Sequence, residues 1–214
     1  MNPLTRFSVP WPAGYGPAHQ TRWHLVATRI LLLEGGHSAH AADKGGETNY
    51  GISLRFLKAI GGIDANRDGF GDLDLNLDTQ LDGLDIRALT PAIAKAIYCK
   101  HFWIAPGFWS LPKPFDLALF DQGVNGGTTA AIRLLQRALN SFGKPYLVED
   151  GADGPKTRAR LKECLAYDFP VLGAYRTAAA NRYRAIALAD PTQRRWLNGW
   201  LRRASELGVL NLSE

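Results

Sequence analysis

Apolar residues recur at helical spacing in several separate stretches of the chain. Between Gln20 and Leu33 the positions Trp23, Val26, Ile30 and Leu33 fall three or four apart, which predicts an amphipathic helix. Gly35-Gly36 then stops it, because glycine readily takes the left-handed turn that follows a last helical residue. Thr90-Pro91 pairs a capping hydroxyl with a proline at the first helical position, and Ile93 and Ile97 mark the apolar face behind them. Residues 115–125 and 128–141 read as two more helices, the second with Ile132, Leu135 and Leu139 on one side. The turn Asp150-Gly-Ala-Asp-Gly-Pro155 leads into a helix carrying Leu161 and Leu165. Residues 170–189 bear the broad stripe Leu172, Tyr175, Ala179, Tyr183, Ile186 and Ala187. In 192–207, Trp196, Leu197, Trp200, Leu201, Ala204 and Leu207 share a face, with Arg194, Arg195, Arg202 and Arg203 mostly outside it.

Three stretches break the pattern. Residues 1–20 are rich in proline, glycine and aromatics and predict an irregular arm. Gly35, Gly36, Gly45, Gly46 and Gly51 crowd residues 35–53, which predicts a turn-rich hairpin. Residues 61–85 form an aspartate-rich loop. The expected fold class is therefore mainly α with a small β-hairpin beside the first helix.

A chain of 214 residues has room for one domain with a modest appendage. Its 46% hydrophobic and 21% charged residues suit a packed core and exclude a disordered or fibrous class. Apolar runs such as Ile30–Leu33 fall far short of the ~20 residues that cross a bilayer. The first residues lack the continuous apolar stretch of a secretory signal, so synthesis in a cytoplasm without Sec export is expected. Cys99 and Cys164 are too few for a disulfide framework and are expected to be free thiols.

Charge is unevenly spread. Residues 155–214 hold 11 Lys and Arg against 5 Asp and Glu, whereas residues 1–154 hold 14 against 15. All the excess positive charge lies in the last stretch, which suggests an anionic partner or, equally, solvated helix faces. No recognition-helix motif supports nucleic acid as that partner. A monomer is expected.

Chemistry concentrates at the end of the first helix. Glu34 follows three leucines at a helix C-terminus, where the negative end of the dipole disfavours a carboxylate. Dipole and apolar neighbours together favour the neutral acid, the form that donates a proton in glycoside hydrolysis. Asp43 and Thr48 follow across the glycine-rich turn and are candidates to manage water on the far side of a sugar.

The segments Glu34-Gly-Gly, Asp43 before Gly45-Gly46, and Thr48-Asn-Tyr-Gly-Ile-Ser53 resemble the start of the glycoside hydrolase family 108 muramidases, phage and bacterial enzymes that cut peptidoglycan. The likeness continues through the aspartate loop, Asp85-Ile-Arg-Ala-Leu-Thr90, Ile97-Tyr98, Phe102-Trp103 and Phe120-Asp-Gln-Gly-Val-Asn125. Leu135-Gln136-Arg-Ala-Leu139 and Asp153-Gly-Pro-Lys-Thr157 are similar to the peptidoglycan-binding region often joined to that half. It covers roughly residues 22–207. The resemblance implies a lysozyme-like fold, Glu34 as the catalytic acid, Asp43 and Thr48 as its partners, and peptidoglycan glycan strands as substrate. It divides the chain into a catalytic region over 21–114 and a helical binding region over 115–214, with the arm over 1–20 outside the resemblance. A phage endolysin that reaches the wall from the host cytoplasm is the expected setting, with the basic C-terminus free to meet anionic outer-membrane groups.

Rival chemistries are less well matched. Lytic transglycosylases usually carry serine after the catalytic glutamate, where this chain has Gly35. His37, His40, Asp43 and His101 suggest zinc, but no His-Glu-x-x-His occurs. In the aspartate loop, Asp64, Asn66, Asp68 and Asp72 match positions 1, 3, 5 and 9 of a calcium loop with Gly69 at 6, but Leu75 stands where a bidentate acid belongs. A shifted frame runs from Asp74 to Asp85. A structural Ca2+ held by Asp64, Asn66, Asp68, Asp72 and Asp85 is expected, with no metal needed for catalysis. Asn49, Tyr50, Tyr98, Trp103, Asn125 and Gln136 are the candidate sugar contacts, the aromatics being equally suited to a core.

Overall fold

A computed structural model of the chain describes residues 9–36, 47–64 and 67–210. The fold is mainly α, with one two-stranded antiparallel sheet among the described residues. Packing divides the chain into two units, one ending at Ile104 and one running from Ala105 to Leu210. The division falls ten residues before the sequence-based boundary at 114/115, because the 3-10 turn Phe108–Ser110 packs with the helix that follows it.

In the first unit, helix α1 (Pro17–Glu34) begins three residues earlier than its apolar spacing suggested. Pro17 sets the first helical φ, and the Gly16 N–H donates to His19 Nδ1 at 3.3 Å. Trp23, Val26, Ala27 and Ile30 are buried, whereas Leu33 is 40% exposed. The stripe therefore runs Trp23, Ala27, Ile30 and then Glu34, each three or four residues from the last. The glutamate takes the inward position that the sequence reading assigned to Leu33. A two-residue ladder follows: β1 (Thr48–Asn49) pairs with β2 (Ile52–Ser53) in the register Thr48 opposite Ser53. Helix α2 (Leu54–Ile60), which periodicity did not reveal, starts where the Ser53 side chain accepts from the Phe56 N–H. Helix α3 (Gly83–Ala88) emerges from the aspartate loop. Helix α4 (Pro91–Tyr98) starts at the Thr90 cap as expected, packs against α1, and passes into a π-helical turn over Cys99–Ile104.

The second unit is helical. In α5 (Phe115–Gly126) every residue from Phe115 to Gly123 is buried, as befits a helix surrounded by others. It packs on α6 (Thr128–Asn140), which packs in turn on α8 (Val171–Ala189), while α7 (Pro155–Ala166) lies against both α6 and α8. A 3-10 turn (Pro191–Trp196) leads to α9 (Leu197–Glu206), which packs along α8. Val171 rather than Leu172 opens the buried stripe of α8. On the last segment only Ala204 and Leu207 are buried. Trp196 is 53% exposed under the Arg195 guanidinium, and Trp200 stacks on Tyr183 at 5.4 Å. Cys99 and Cys164 are buried free thiols, and burial pushes the Cys99 thiol up to about 12.

Candidate active site

Everything that positions the site in the first unit converges on the hairpin. The aspartate loop is its foundation. Asp74, 1% exposed, accepts backbone N–H groups from Leu77, Asp78 and Thr79 at 2.8–3.2 Å. Asp85 is fully buried; its Oδ1 accepts from the Leu75 N–H at 2.7 Å and its Oδ2 from the Asp82 N–H at 2.9 Å. These carboxylates close turns and cap the start of α3, where the helix dipole also favours them.

Helix α3 then holds the hairpin. The Asn49 side-chain amide, in a residue 6% exposed, donates to the Ile86 carbonyl at 3.0 Å and the Leu89 carbonyl at 3.5 Å. Those oxygens lie at the C-terminal end of a short helix, where the i+4 N–H donors run out, and the Ile86 carbonyl also accepts the Leu89 N–H at 3.3 Å. Arg87 reaches Glu47 at 2.7 Å, and the Leu54 N–H donates to the Glu47 carbonyl at 2.9 Å, closing the base of the ladder. From the other side the Tyr98 hydroxyl, at the end of α4, donates to the Tyr50 carbonyl at 2.6 Å.

The tip so held lies against Glu34. Tyr50 and Gly51 both have positive φ, 51° and 75°. A Cβ on Gly51 would lie 2.6 Å from Glu34 Oε2, 2.6 Å from the Tyr98 hydroxyl and 2.9 Å from the Glu34 Cβ. Only glycine combines that backbone conformation with so close an approach. The half-buried Glu34 carboxyl, the Tyr98 hydroxyl and the turn of the hairpin thus occupy one spot at the end of α1.

The structure brings together Glu34, Tyr50 and Tyr98 among the residues singled out from sequence, and adds Gly51. The only sequence sign of Gly51's role was its place in Thr48-Asn-Tyr-Gly-Ile-Ser53. Thr48 lies half-buried on β1 of the same hairpin. Asp43, with His37 and His40 of the zinc alternative, lies outside the described residues. His101 is half-buried with its ring edge-on to Phe56 at 6.0 Å, and burial, then the Lys100 charge, lowers its pKa.

Several sugar-contact candidates have other duties. Asn49 is a helix-end cap. Tyr98 and Trp103 are 2% and 0% exposed and offer no ring face to a sugar; the Trp103 indole donates to the Tyr15 hydroxyl at 3.0 Å. Large rings that find a partner for their one polar atom are most stable inside a core. Gln136 is buried in the second unit. It donates to Asp150 at 2.7 Å and accepts the Gly151 N–H at 2.9 Å, so it organises the turn before α7. Asn125 is exposed at the end of α5, its carbonyl oxygen held by the Tyr183 hydroxyl at 2.6 Å.

Several of the calcium candidates have backbone partners. Among the described residues no three of His, Cys, Asp or Glu gather as a metal requires. Asp64 accepts from the Asp68 and Gly69 N–H groups at 3.1 and 2.9 Å, Asp72 is buried, and Asp85 caps α3 as above. Asn66 lies outside the described residues. Backbone N–H groups, which carry partial positive charge, offset part of the repulsion among these aspartates.

The mainly α, lysozyme-like fold with a small pinned hairpin beside its first helix goes with a glycosyl hydrolase domain, so the class is a glycoside hydrolase. Residues 27–127 match the model of the glycosyl hydrolase 108 family, and residues 130–205 match that of a predicted peptidoglycan domain. The first match therefore extends past the packing division at Ile104 to take in α5. Among solved structures, that of Brucella abortus SagA is similar in fold, with a TM-score of 0.67 and 22% identity over 91% of this chain and 98% of that one. No protein in a comparison with curated sequences matches significantly. The two family regions identify a peptidoglycan hydrolase with peptidoglycan as its partner.

Proposed function

We propose that the chain is an N-acetylmuramidase that cleaves the β-1,4 bond between N-acetylmuramic acid and N-acetylglucosamine, with Glu34 as proton donor to the leaving oxygen. The observation that carries this reading is the convergence of Glu34, Gly51 and the Tyr98 hydroxyl at the end of α1. A general acid must hold one position relative to the glycosidic oxygen, and a hairpin tied down on three sides restricts it there. Asp43 and Thr48 are the proposed partners on the water side. Lysis of a host by a phage, with the enzyme released from the cytoplasm to the wall, is the setting this activity suits. The exposed Arg194, Arg195 and Arg202 are then available to anionic outer-membrane groups.

The test is the mass of fragments released from purified sacculi. Reducing-end muramic acid from the wild type, lost in Glu34→Gln, is expected. Anhydro ends would replace hydrolysis by transglycosylation, and equal clearing of permeabilised Gram-negative cells by both proteins would remove Glu34 from the mechanism.

A further inference from the structure

We infer that a cleft in the second unit, between α7 and the segment after the 3-10 turn Phe108–Ser110, binds the peptide stems of peptidoglycan through a free carboxylate. This rests on the peptidoglycan reading and deepens it, because it separates a peptide subsite from the glycan chemistry of the first unit.

The cleft has a volume of about 290 Å3, at the small end of the range for ligand pockets, roughly 300–1,000 Å3. Its walls are apolar and come from the spacing of α7. Leu161 and Leu165 lie four apart on one helix face, opposite Leu111 and Pro112. Leu161 and Leu111 are buried, so the floor is part of the core.

Its polar side is cationic, and Arg158 and Lys162 play different parts there. Arg158 is the frame. Its Nε and Nη2 donate to Asp153 Oδ2 at 3.1 and 2.6 Å, Nη2 also donates to the Gly107 carbonyl at 2.9 Å, and Nη1 to the Ser110 hydroxyl at 2.7 Å. The Asp153 carboxylate, with 6% of its side chain exposed, offsets the Arg158 charge. Lys162, one turn further along the same face, is exposed and supplies the net positive charge at the rim. Among the described residues that line the cleft none is acidic.

This chemistry selects among the parts of the wall polymer. Glycan is neutral apart from its lactyl groups, and its rings are held by aromatic faces and free hydrogen-bonding groups. The cleft has no aromatic lining residue, and its one hydroxyl, Ser110, is already engaged by Arg158 and by the Gly107 carbonyl. A stem peptide offers what fits: small methyl and methylene groups for the leucine walls and a carboxylate for Lys162.

The experiment is a titration of the full-length protein with a synthetic stem tripeptide and, separately, with an N-acetylglucosamine oligomer, followed by NMR or calorimetry. The tripeptide is expected to bind and to shift the resonances of Lys162 and Leu165. Lys162→Glu is expected to weaken it about tenfold or more, as loss of a charge-assisted contact implies, and Leu165→Gln to weaken it with the charge kept. Both positions are at least partly exposed, so the fold is expected to survive. Tripeptide binding that is absent, or unchanged in both variants, overturns the assignment, as does an oligomer that binds the cleft equally well. Reducing-end release from peptide-free glycan by the wild type, compared with Glu34→Gln, reads the catalytic assignment separately, so either can fail without the other.

Discussion

The two units differ in what their buried polar side chains hold. In the first, polar side chains serve backbone: Asn49 caps α3, Asp74 and Asp85 close turns, and the Tyr98 hydroxyl holds the Tyr50 carbonyl. In the second, several bond one another across helices, beside backbone contacts such as Gln136 with the Gly151 N–H and Arg160 with the Gly143 carbonyl. Asp121 pairs with Arg203 at 2.6 Å, and Gln122, Tyr183 and Asn125 form a chain of hydrogen bonds at 2.7 and 2.6 Å. Side chain on backbone shapes an irregular loop, and such a loop is what brings a hairpin to a carboxyl. Side chain on side chain fixes which helices pack together, and helices that do not shift can present a steady surface to a polymer.

This contrast can be broken at either end. The largest effect is expected from Glu34→Gln, which should lower turnover on sacculi by about 10²–10⁴-fold, the usual range for a general acid, while cosedimentation with sacculi persists. Asp121→Ala should come next, as a loss of about 3 kcal/mol in denaturant unfolding. It leaves the Arg203 guanidinium, 15% exposed, without its carboxylate. Hydrogen exchange should place the loosening in residues 105–210. Gly51→Ala is expected to cost about 1–2 kcal/mol from strain at positive φ. It should also displace Glu34 or Tyr98, so activity should fall more than stability predicts; full activity with an unchanged melting temperature would mean that the hairpin does not position the acid. The smallest effect concerns the aspartate loop. If the loop takes up the structural Ca2+ that its spacing suggests, calcium should raise the melting temperature and EDTA lower it; an unchanged melting curve in both would leave the backbone N–H groups as its only counter-charge.

Local signals were legible where one residue type has one use. Thr90-Pro91 started α4, Gly35 ended α1, and the run Phe115–Gly123 packed as an interior helix. They left two outcomes open where one pattern serves two purposes. The aspartate spacing suits a calcium loop and a series of self-capped turns equally well, since both rely on short carboxylates at every second or third residue. Aromatic clusters suit a sugar groove and a core alike, and burial decided for the core at Tyr98 and Trp103.

Sequence by itself determined the longer helices, the glycine-rich break after Glu34 and the order of motifs that mark the family, because these depend on neighbours a few residues apart. Tertiary structure alone decided that Glu34, not Leu33, completes the inward stripe of α1. It alone set Gly51 against that carboxyl and turned Asn49 and Gln136 into supports of the fold. Those outcomes depend on contacts between residues 15 to 50 positions apart, such as Asn49 with Ile86 and Tyr98 with Tyr50. No local spacing encodes which distant carbonyl an amide will find.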